Sequence, residues 1–360
     1  MSRALVTGSG GLVGSEAVTL LTGDGWEVIG IDNDSRGAFF GPEASTRPVS
    51  DELQALPGYW HVDADICEEQ TVRSVFRSLG PFGLIIHAAG QPSHDWAGKH
   101  PQADFAVNAQ GTLNLLEQTR QLSPEATFCF MSTNKVYGDT PNRLPLKEYR
   151  HDTDLRRFDL HPGHAWHSGI DTSMSVDQSM HSLFGVSKLA ADLLTQEYGR
   201  YFGLNTVCFR CGCITGPSHA GVELHGFLAY LMKATATEMK YTVYGYDGMQ
   251  VRDNISGHDV ARACLAFHEA PMSGAVYNLG GGRANACSVL EAISMCEEIS
   301  GHKLDYEIDP KPRAGDHKWW ISDLSQFRRD FPDWTLEDDL LSVATEIHEM
   351  HSMQPAEWSG

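Results

Sequence analysis

Positive charge is scarce in this 360-residue sequence: 27 lysines and arginines stand against 47 aspartates and glutamates, a formal net charge of −20. Binding to nucleic acid without sequence preference works by cations displacing phosphate counterions, so the deficit argues against a nucleic-acid partner. It argues equally against an anionic membrane surface, and its general benefit is solubility. Long apolar runs are missing too. None approaches the ~18 residues that a membrane span requires. The start, MSRALVTG, has no basic segment leading into an apolar one, so no secretory signal and no membrane partner are expected. Internal repeats and low-complexity tracts are also absent. The eight cysteines lack a pattern: the single Cys-x-x-Cys spacing, Cys208 to Cys211, falls in a predicted strand, where residues three apart face opposite ways. A redox or zinc pair is therefore not expected there, and free thiols in a reducing cytoplasm are.

What is present is ordinary globular material, 41% hydrophobic and 21% charged. At ~150 residues per domain, the length fits one large or two fused domains. The first third alternates short apolar runs (Ala4–Thr7, Glu27–Ile31, Trp60–Val62, Leu84–His87, Thr127–Met131) with amphipathic ones (Leu12–Leu21, Gln70–Leu79, Phe105–Gln121). Such alternation predicts an α/β fold, a parallel sheet with helices on both faces. Gly138 to Met180 is polar and holds Pro141, Pro145 and Pro162, which reads as a long excursion at the mouth of the sheet. A helix at Met180–Phe202 and a strand at Asn205–Arg210 follow. Beyond them helices (Leu224–Thr235, Gly257–His268, Ser288–Ile299, Leu336–His348) mix with short strands (Tyr241–Tyr244, Val276–Leu279, Leu304–Ile308) in a smaller lobe. The expected division is 1–210, with the excursion at 138–180, and 211–360, some of whose segments return to the first domain.

The glycine spacing Gly8-x-x-Gly11-x-x-Gly14, with Leu12 and Val13 inside it, lies between the first strand and the first helix. Glycines there let the backbone turn tightly and approach a pyrophosphate at the positive end of the helix. The second strand ends in Asp32, followed by Asn33, at the distance where an acidic residue bonds an adenosine ribose. A 2′-phosphate would be repelled by Asp32, which favours NAD over NADP, although Arg36 stands nearby. Asp65 and Ile66, after the third strand, either meet the adenine or make a strand-end turn.

Further segments carry a resemblance. His87-Ala88-Ala89-Gly90-Gln91, Asn108-Ala109-Gln110-Gly111-Thr112, Ser132-Thr133-Asn134-Lys135-Val136-Tyr137-Gly138, Ser187-Lys188 and Gln250-Val251-Arg252-Asp253 join Thr7–Gly14. Together they resemble the extended short-chain dehydrogenase/reductases of the nucleotide-sugar epimerase and dehydratase group. The runs 104–117, 132–139 and 202–207 resemble the CDP-paratose 2-epimerase branch of that group. The resemblance implies a Rossmann-type doubly wound parallel sheet with a smaller C-terminal α/β substrate lobe. It implies tightly held NAD, met by Ala88, Ala89, Gly90 and Asn108 besides the glycine loop, and a homodimer built on the two long helices. The implied chemistry oxidises a sugar hydroxyl of a nucleotide diphosphate sugar and returns the hydride to the other face of the ring. Gln91, Thr133, Asn134 and Lys135 fall on substrate-side positions. Arg252 and Arg313 fall on the two that clamp the diphosphate, a task suited to arginine's planar fork. Leu224 and His225 are further candidates near the nucleotide. Dehydratases of the group carry an acidic pair after the Thr, so Asn134 and Lys135 disfavour dehydration. Many relatives have Asn where Cys213 stands.

The group works with a Ser/Thr, a Tyr and a Lys. Thr133 and Lys188 match, but the Tyr position holds Phe184. A phenyl ring has no exchangeable proton, and a positioned acid–base group is worth ~10²–10⁴ in rate. Four accounts stay open: an engineered Tyr-to-Phe replacement, another proton carrier, a reaction needing none, or ligand binding without turnover. Among substitutes His181, one turn before Phe184, leads, beside His94, Asp95, His164, His167, Tyr137 and Lys135. His161, His164 and His167 are spaced by three, but Pro162 and Gly163 interrupt any helix, and no metal is expected. Two function classes follow: an NAD-dependent epimerase, with C4 epimerisation, decarboxylation or keto-sugar reduction as its neighbours, and a silent NAD or nucleotide-sugar binding protein.

Overall fold

The computed structural model describes residues 2–150, 155–218, 226–313 and 315–353. Its centre is a seven-stranded parallel sheet: β1 (Arg3–Thr7), β2 (Glu27–Ile31), β3 (Tyr59–Val62), β4 (Leu84–His87), β5 (Thr127–Thr133), β6 (Asn205–Cys211) and β7 (Ala275–Leu279). The spatial order is β3-β2-β1-β4-β5-β6-β7. The chain builds outward from β1 in one direction, then crosses over and builds from β4 in the other. That reversal opens a crevice beyond the carboxyl ends of β1 and β4, where ligands bind in open α/β sheets.

Burial on both faces explains the unbroken apolar runs of these strands. Ala4, Val6, Ile86, Cys129, Val207 and Phe209 pack on one side with the helices Leu12–Gly23 and Gly257–Glu269. Leu5, Ile29, Ile85, Phe128, Phe130 and Cys208 pack on the other with Glu69–Leu79, Gly111–Leu122 and Leu183–Phe202. Cys208 and Cys211 thus belong to opposite faces, as the strand period requires. All eight cysteines are free thiols.

The rest of the chain covers the carboxyl edge. The strand Val251–Ser256 pairs with Cys213–Thr215, Ala286–Ser288 and Trp319–Trp320. Tyr241–Tyr244 pairs with Tyr306–Asp309, and the helices Phe227–Ala236, Val289–Ser300 and Leu340–Met353 close a separate core. The excursion forms a hairpin, Lys147–Arg150 against Arg156–Asp159, and returns through Ile170, which bridges Ser322. Among the described residues no helix is long and apolar enough to cross a membrane.

Two predicted helices differ from the observed ones in an informative way. Phe105–Gln121 is broken: a short helix, Pro101–Phe105, passes through a π-helical turn at Ala106–Gln110 into Gly111–Leu122. The turn holds Asn108, whose side chain bonds the backbone of Gln91 in both directions, at 2.9 and 3.0 Å. The expected helix at Met180 begins instead at Leu183, because Ser182 caps it by accepting the Gly185 N–H at 3.1 Å.

A buried carboxylate locks the helix Leu183–Phe202 onto the sheet. Asp192 accepts from Ser132 Oγ on β5 at 2.6 Å, from Arg210 Nε and Nη2 on β6 at 3.1 and 2.8 Å, and from Gln196 Nε2 at 2.6 Å. Replacing Arg210 by Met would strand that carboxylate without a cation. Arg210→Met is expected to destabilise the fold by about 3–5 kcal/mol, read from the denaturant midpoint. An unchanged midpoint would show that the pair is dispensable.

Candidate functional site

One continuous cleft runs along the carboxyl edge of the sheet, from the glycine loop to the arginines of the C-terminal region. Its first wall is the β1–helix turn. Gly8 has a positive φ of 69°, and a Cβ there would lie 2.7 Å from Ala89 N, so only glycine lets the two loops approach. Gly11 is the N-cap of Leu12–Gly23, without a side-chain cap or an acidic residue in the first turn. The first N–H groups of that helix therefore lack an intrahelical or side-chain acceptor beside the cleft, which is the arrangement an anion wants. Gly8, Gly11, Leu12, Val13 and Gly14 all line the cleft. These observations fit a dinucleotide pyrophosphate.

The cleft wall continues through Ala88, Gly90, Gln91, Thr133, Asn134, Lys135, Phe184, Lys188, Arg252 and Arg313. Sequence positions up to 225 apart meet here because the ends of β4 and β5, the helix Leu183–Phe202, the strand Val251–Ser256 and the loop of Arg313 converge on one edge of the sheet. Thr133 closes β5, where its hydroxyl accepts the Lys135 N–H at 3.2 Å. Phe184 and Lys188 sit one turn apart on the helix Leu183–Phe202, both on its buried face. Lys188 Nζ donates to the Met131 carbonyl at 2.6 Å and lies 4.3 Å from the centre of the Phe130 ring. Burial pushes its pKa down to about 8.

The far end of the cleft concentrates charge. Arg252 pairs with Asp316, and Arg313 Nη2 reaches Asp95 at 3.3 Å. Lys135 Nζ donates to the Gly315 carbonyl at 3.0 Å. Burial lowers Lys135 to about 8, with Asp316 working against it. Burial alone would raise Asp316, but Arg252, Lys135 and Arg313 hold its carboxyl below the usual carboxylate range. Cys211 and Cys213 also line the cleft, and burial pushes both thiols up, so they remain protonated and unreactive at neutral pH.

Other expected site residues lie off the cleft wall. Asp32 turns back on the glycine loop: Oδ2 accepts the Gly10 N–H at 3.0 Å and Oδ1 accepts from Thr46 Oγ1 at 2.9 Å. Asn33 caps the next turn through Ser35, and Asp65 accepts the Cys67 N–H at 2.8 Å. Ile66 is buried in the second sheet face, while Ala89 packs at its edge. Asn108 is buried among Gln91, Asp104 and Ser187. Gln91 reaches the cleft, but its side-chain amide donates inward to Ser93 O and Asp104 Oδ1. His181 also stays off the wall; its Nε2 donates to the Val136 carbonyl at 2.7 Å. Leu224 and His225 lie outside the described residues. His161 Nδ1 and His164 Nδ1 accept local backbone N–H groups. Among the described residues no group of three His, Cys, Asp or Glu is placed to hold a metal ion.

Sequence reasoning did not place Thr46, Asp316 or the predicted Tyr241–Tyr244 strand on the wall, where all three stand. Only Asp316 left a trace, three residues after Arg313; the others reach the cleft through contacts far apart in the chain.

The model of the "NAD dependent epimerase/dehydratase family" matches residues 4–161 and 163–280. The chain is 29% identical to the CDP-paratose 2-epimerase of Salmonella typhi over 344 residues, 92% of this chain and 94% of that protein. It is 28% identical to a UDP-glucose 4-epimerase of Corynebacterium glutamicum over 356 residues, 96% and 94% of the two chains. Among solved structures, the UDP-glucuronic acid 4-epimerase of Bacillus cereus, in complex with UDP-glucuronic acid and NAD, superposes with a TM-score of 0.75. That match covers 97% of this chain and 99% of the other at 24% identity, and it shows the shared fold.

The two buried lysines set a pH dependence for the cleft. Each carries its charge below about 8 and loses it above. The protonated forms attract an anion, so ADP, as a diphosphate probe, should bind more weakly at about pH 9.5 than at about pH 7. Calorimetry at constant ionic strength reads this, and equal affinity at both values would mean that neither ammonium meets the anion.

Proposed function

The chain belongs to the NAD dependent epimerase/dehydratase family, and we propose that it is an NAD-holding epimerase of a nucleoside diphosphate sugar, acting at C2 of a CDP-sugar. The observation that carries this reading is one cleft that joins the glycine loop, Thr133 and Lys188 to Arg252 and Arg313. A dinucleotide at one end and a diphosphate at the other would bring a sugar between them, over the carboxyl ends of β5 and β6. The CDP-sugar assignment rests on the likeness to the Salmonella typhi protein and on Thr133-Asn134-Lys135, which lacks the acidic pair of the dehydratases.

NAD, when bound, supplies a reversible hydride acceptor, so the sugar is oxidised and reduced again with no net redox change. The chain's residues do the rest. The uncapped helix N-terminus and the glycine loop take the pyrophosphate. Asp32 holds the loop from behind through Gly10, and its carboxylate is the group that would bond the adenosine ribose. Lys188 and Thr133 line the cleft, where Lys188 would hold the nicotinamide ribose and supply positive charge and Thr133 Oγ1 would orient the sugar hydroxyl. Arg252 and Arg313 exchange Asp316 and Asp95 for diphosphate oxygens, which makes the site electropositive only locally.

The dimer expected from the family likeness finds support on the helix Leu183–Phe202. Leu183, Val186 and Leu193 are exposed along the face opposite Phe184, Lys188 and Asp192, with Tyr201 80% exposed near its end. Such a stripe is what a second copy would cover.

Phe184 on the wall favours one second reading, a protein that binds nucleotide and sugar without turnover. Mass spectrometry of the small molecules released on denaturation, followed by incubation with CDP-, UDP- and dTDP-glucose without added reductant, separates the two. We expect about one NAD per chain and isomerised sugar. Thr133→Val should lower kcat by about 10²-fold while NAD stays bound. Net consumption of a reduced cofactor would replace epimerisation by reduction, and bound ligand without product would support the second reading.

A further inference from the structure

The tyrosine that this chemistry calls for is missing, yet the cleft holds a histidine against the very ring that replaces it. His94 opens the short helix His94–Lys99 just after β4 and lines the cleft. Its ring meets that of Phe184 edge-on, with centroids 5.0 Å apart. Its Nδ1 lies 2.5 Å from Ser182 Oγ. Gly315 leaves it room: a Cβ there would stand 2.6 Å from Nδ1 and 2.7 Å from Cε1. His94 is thus gripped from three sides, by the replacing ring, by a helix-capping serine and by the loop that carries Arg313 and Asp316.

The other candidates for the proton are already committed. Tyr137 is fully buried, its hydroxyl donating to Asn278 Oδ1 at 2.8 Å and accepting from Arg210 Nη1 at 3.0 Å. His181 is turned to the Val136 carbonyl. His164 accepts the Trp166 N–H and, like His167, is not on the cleft wall. Asp95 pairs with Arg313, and Lys135 belongs to the diphosphate end. His94 alone of this set combines a cleft position, contact with Phe184 and a neutral base form. Burial, then the charges of Lys135 and Arg313, push its pKa down to about 3, so the imidazole carries a lone pair at neutral pH; Asp316 opposes them. Binding of a diphosphate would offset those two positive charges, the smaller causes of the shift after burial, and raise its basicity to that extent.

We propose that His94, oriented by Ser182, takes and returns the sugar hydroxyl proton in place of the absent tyrosine. The inference rests on the epimerase reading above. In the forward step the hydroxyl O–H breaks and an N–H forms on His94 Nε2. The C–H electron pair leaves the same sugar carbon as hydride, the oxidant being the nicotinamide dinucleotide. Carbon and oxygen become a carbonyl, and the return step gives back both hydride and proton. Ser182 Oγ already accepts from Gly185 N–H, and its remaining lone pair can accept His94 Nδ1–H. That bond leaves Nε2 free as acceptor and steadies the imidazolium once it forms.

The test uses the full chain loaded with NAD, assayed on CDP-, UDP- and dTDP-glucose by product analysis. His94→Gln should lower kcat by about 10²–10⁴-fold with NAD content and KM within a few-fold of wild type. Phe184→Tyr added to His94→Gln should restore turnover, because a phenol then stands at the family position; a purely structural role for His94 would not be rescued this way. If His94→Gln does not hold NAD, His94→Gly assayed with and without added imidazole decides: rescue supports the proposal and its absence overturns it. His94→Gln turning over at the wild-type rate overturns the proposal alone. Wild-type chain that holds NAD and turns over none of the sugars overturns the epimerase reading, and the proposal with it.

Discussion

The relative placement of the site residues depends on one buried carboxylate. Asp192 stands one helical turn beyond Lys188 and two beyond Phe184, with no exposure to solvent. Its oxygens hold Ser132, next to Thr133 on β5, and Arg210, next to Cys211 on β6. Arg210 passes the connection to the Tyr137 hydroxyl, Tyr137 to Asn278 on β7, and Asn278 Nδ2 to the Ile170 carbonyl in the excursion. A single hydrogen-bonded chain therefore fixes helix, three strands and the loop region over the cleft. An ion pair so placed adds little net stability, since desolvation offsets its attraction. What it does is tie the helix to β5 and β6 at one point, one turn from Lys188 and two from Phe184.

Electrostatics work on a second scale. The chain as a whole is strongly acidic, yet the cleft gathers Lys135, Lys188, Arg252 and Arg313. Burial makes each ammonium costly, which is why both lysines sit near the point of losing their charge. Asp316 and Asp95 pair with the two arginines at the far end of the cleft. The net charge repels anions at long range, so any attraction for an anion has to come from contact within the cleft.

The sequence made a good part of this legible. β2 and β4 have the predicted ends, because parallel strands buried on both faces announce themselves as apolar runs; the half-buried Tyr241–Tyr244 strand has its predicted ends too. The glycine loop was legible because tight turns and close backbone approach admit few residues. The hairpin at 147–159 and the short strands at 213–215 and 251–256 were not: they are polar or two-faced, and only their partners define them. Nor was the π turn at Ala106–Gln110, within which Asn108 bonds across to Gln91.

Local chemistry thus settled the strands of the sheet and the glycine loop, each readable from spacing, while the residue types expected at the site and the phenylalanine at position 184 stood out only through the family resemblance. Tertiary structure decided which of those groups meet. His181, a turn from Phe184 in sequence, is spent on a backbone carbonyl, while His94, ninety residues away, touches the ring. Parallel strands bring distant loops to one edge, and a side chain's hydrogen-bond capacity is limited; which partner claims it is fixed by the packed fold, not by its distance along the chain.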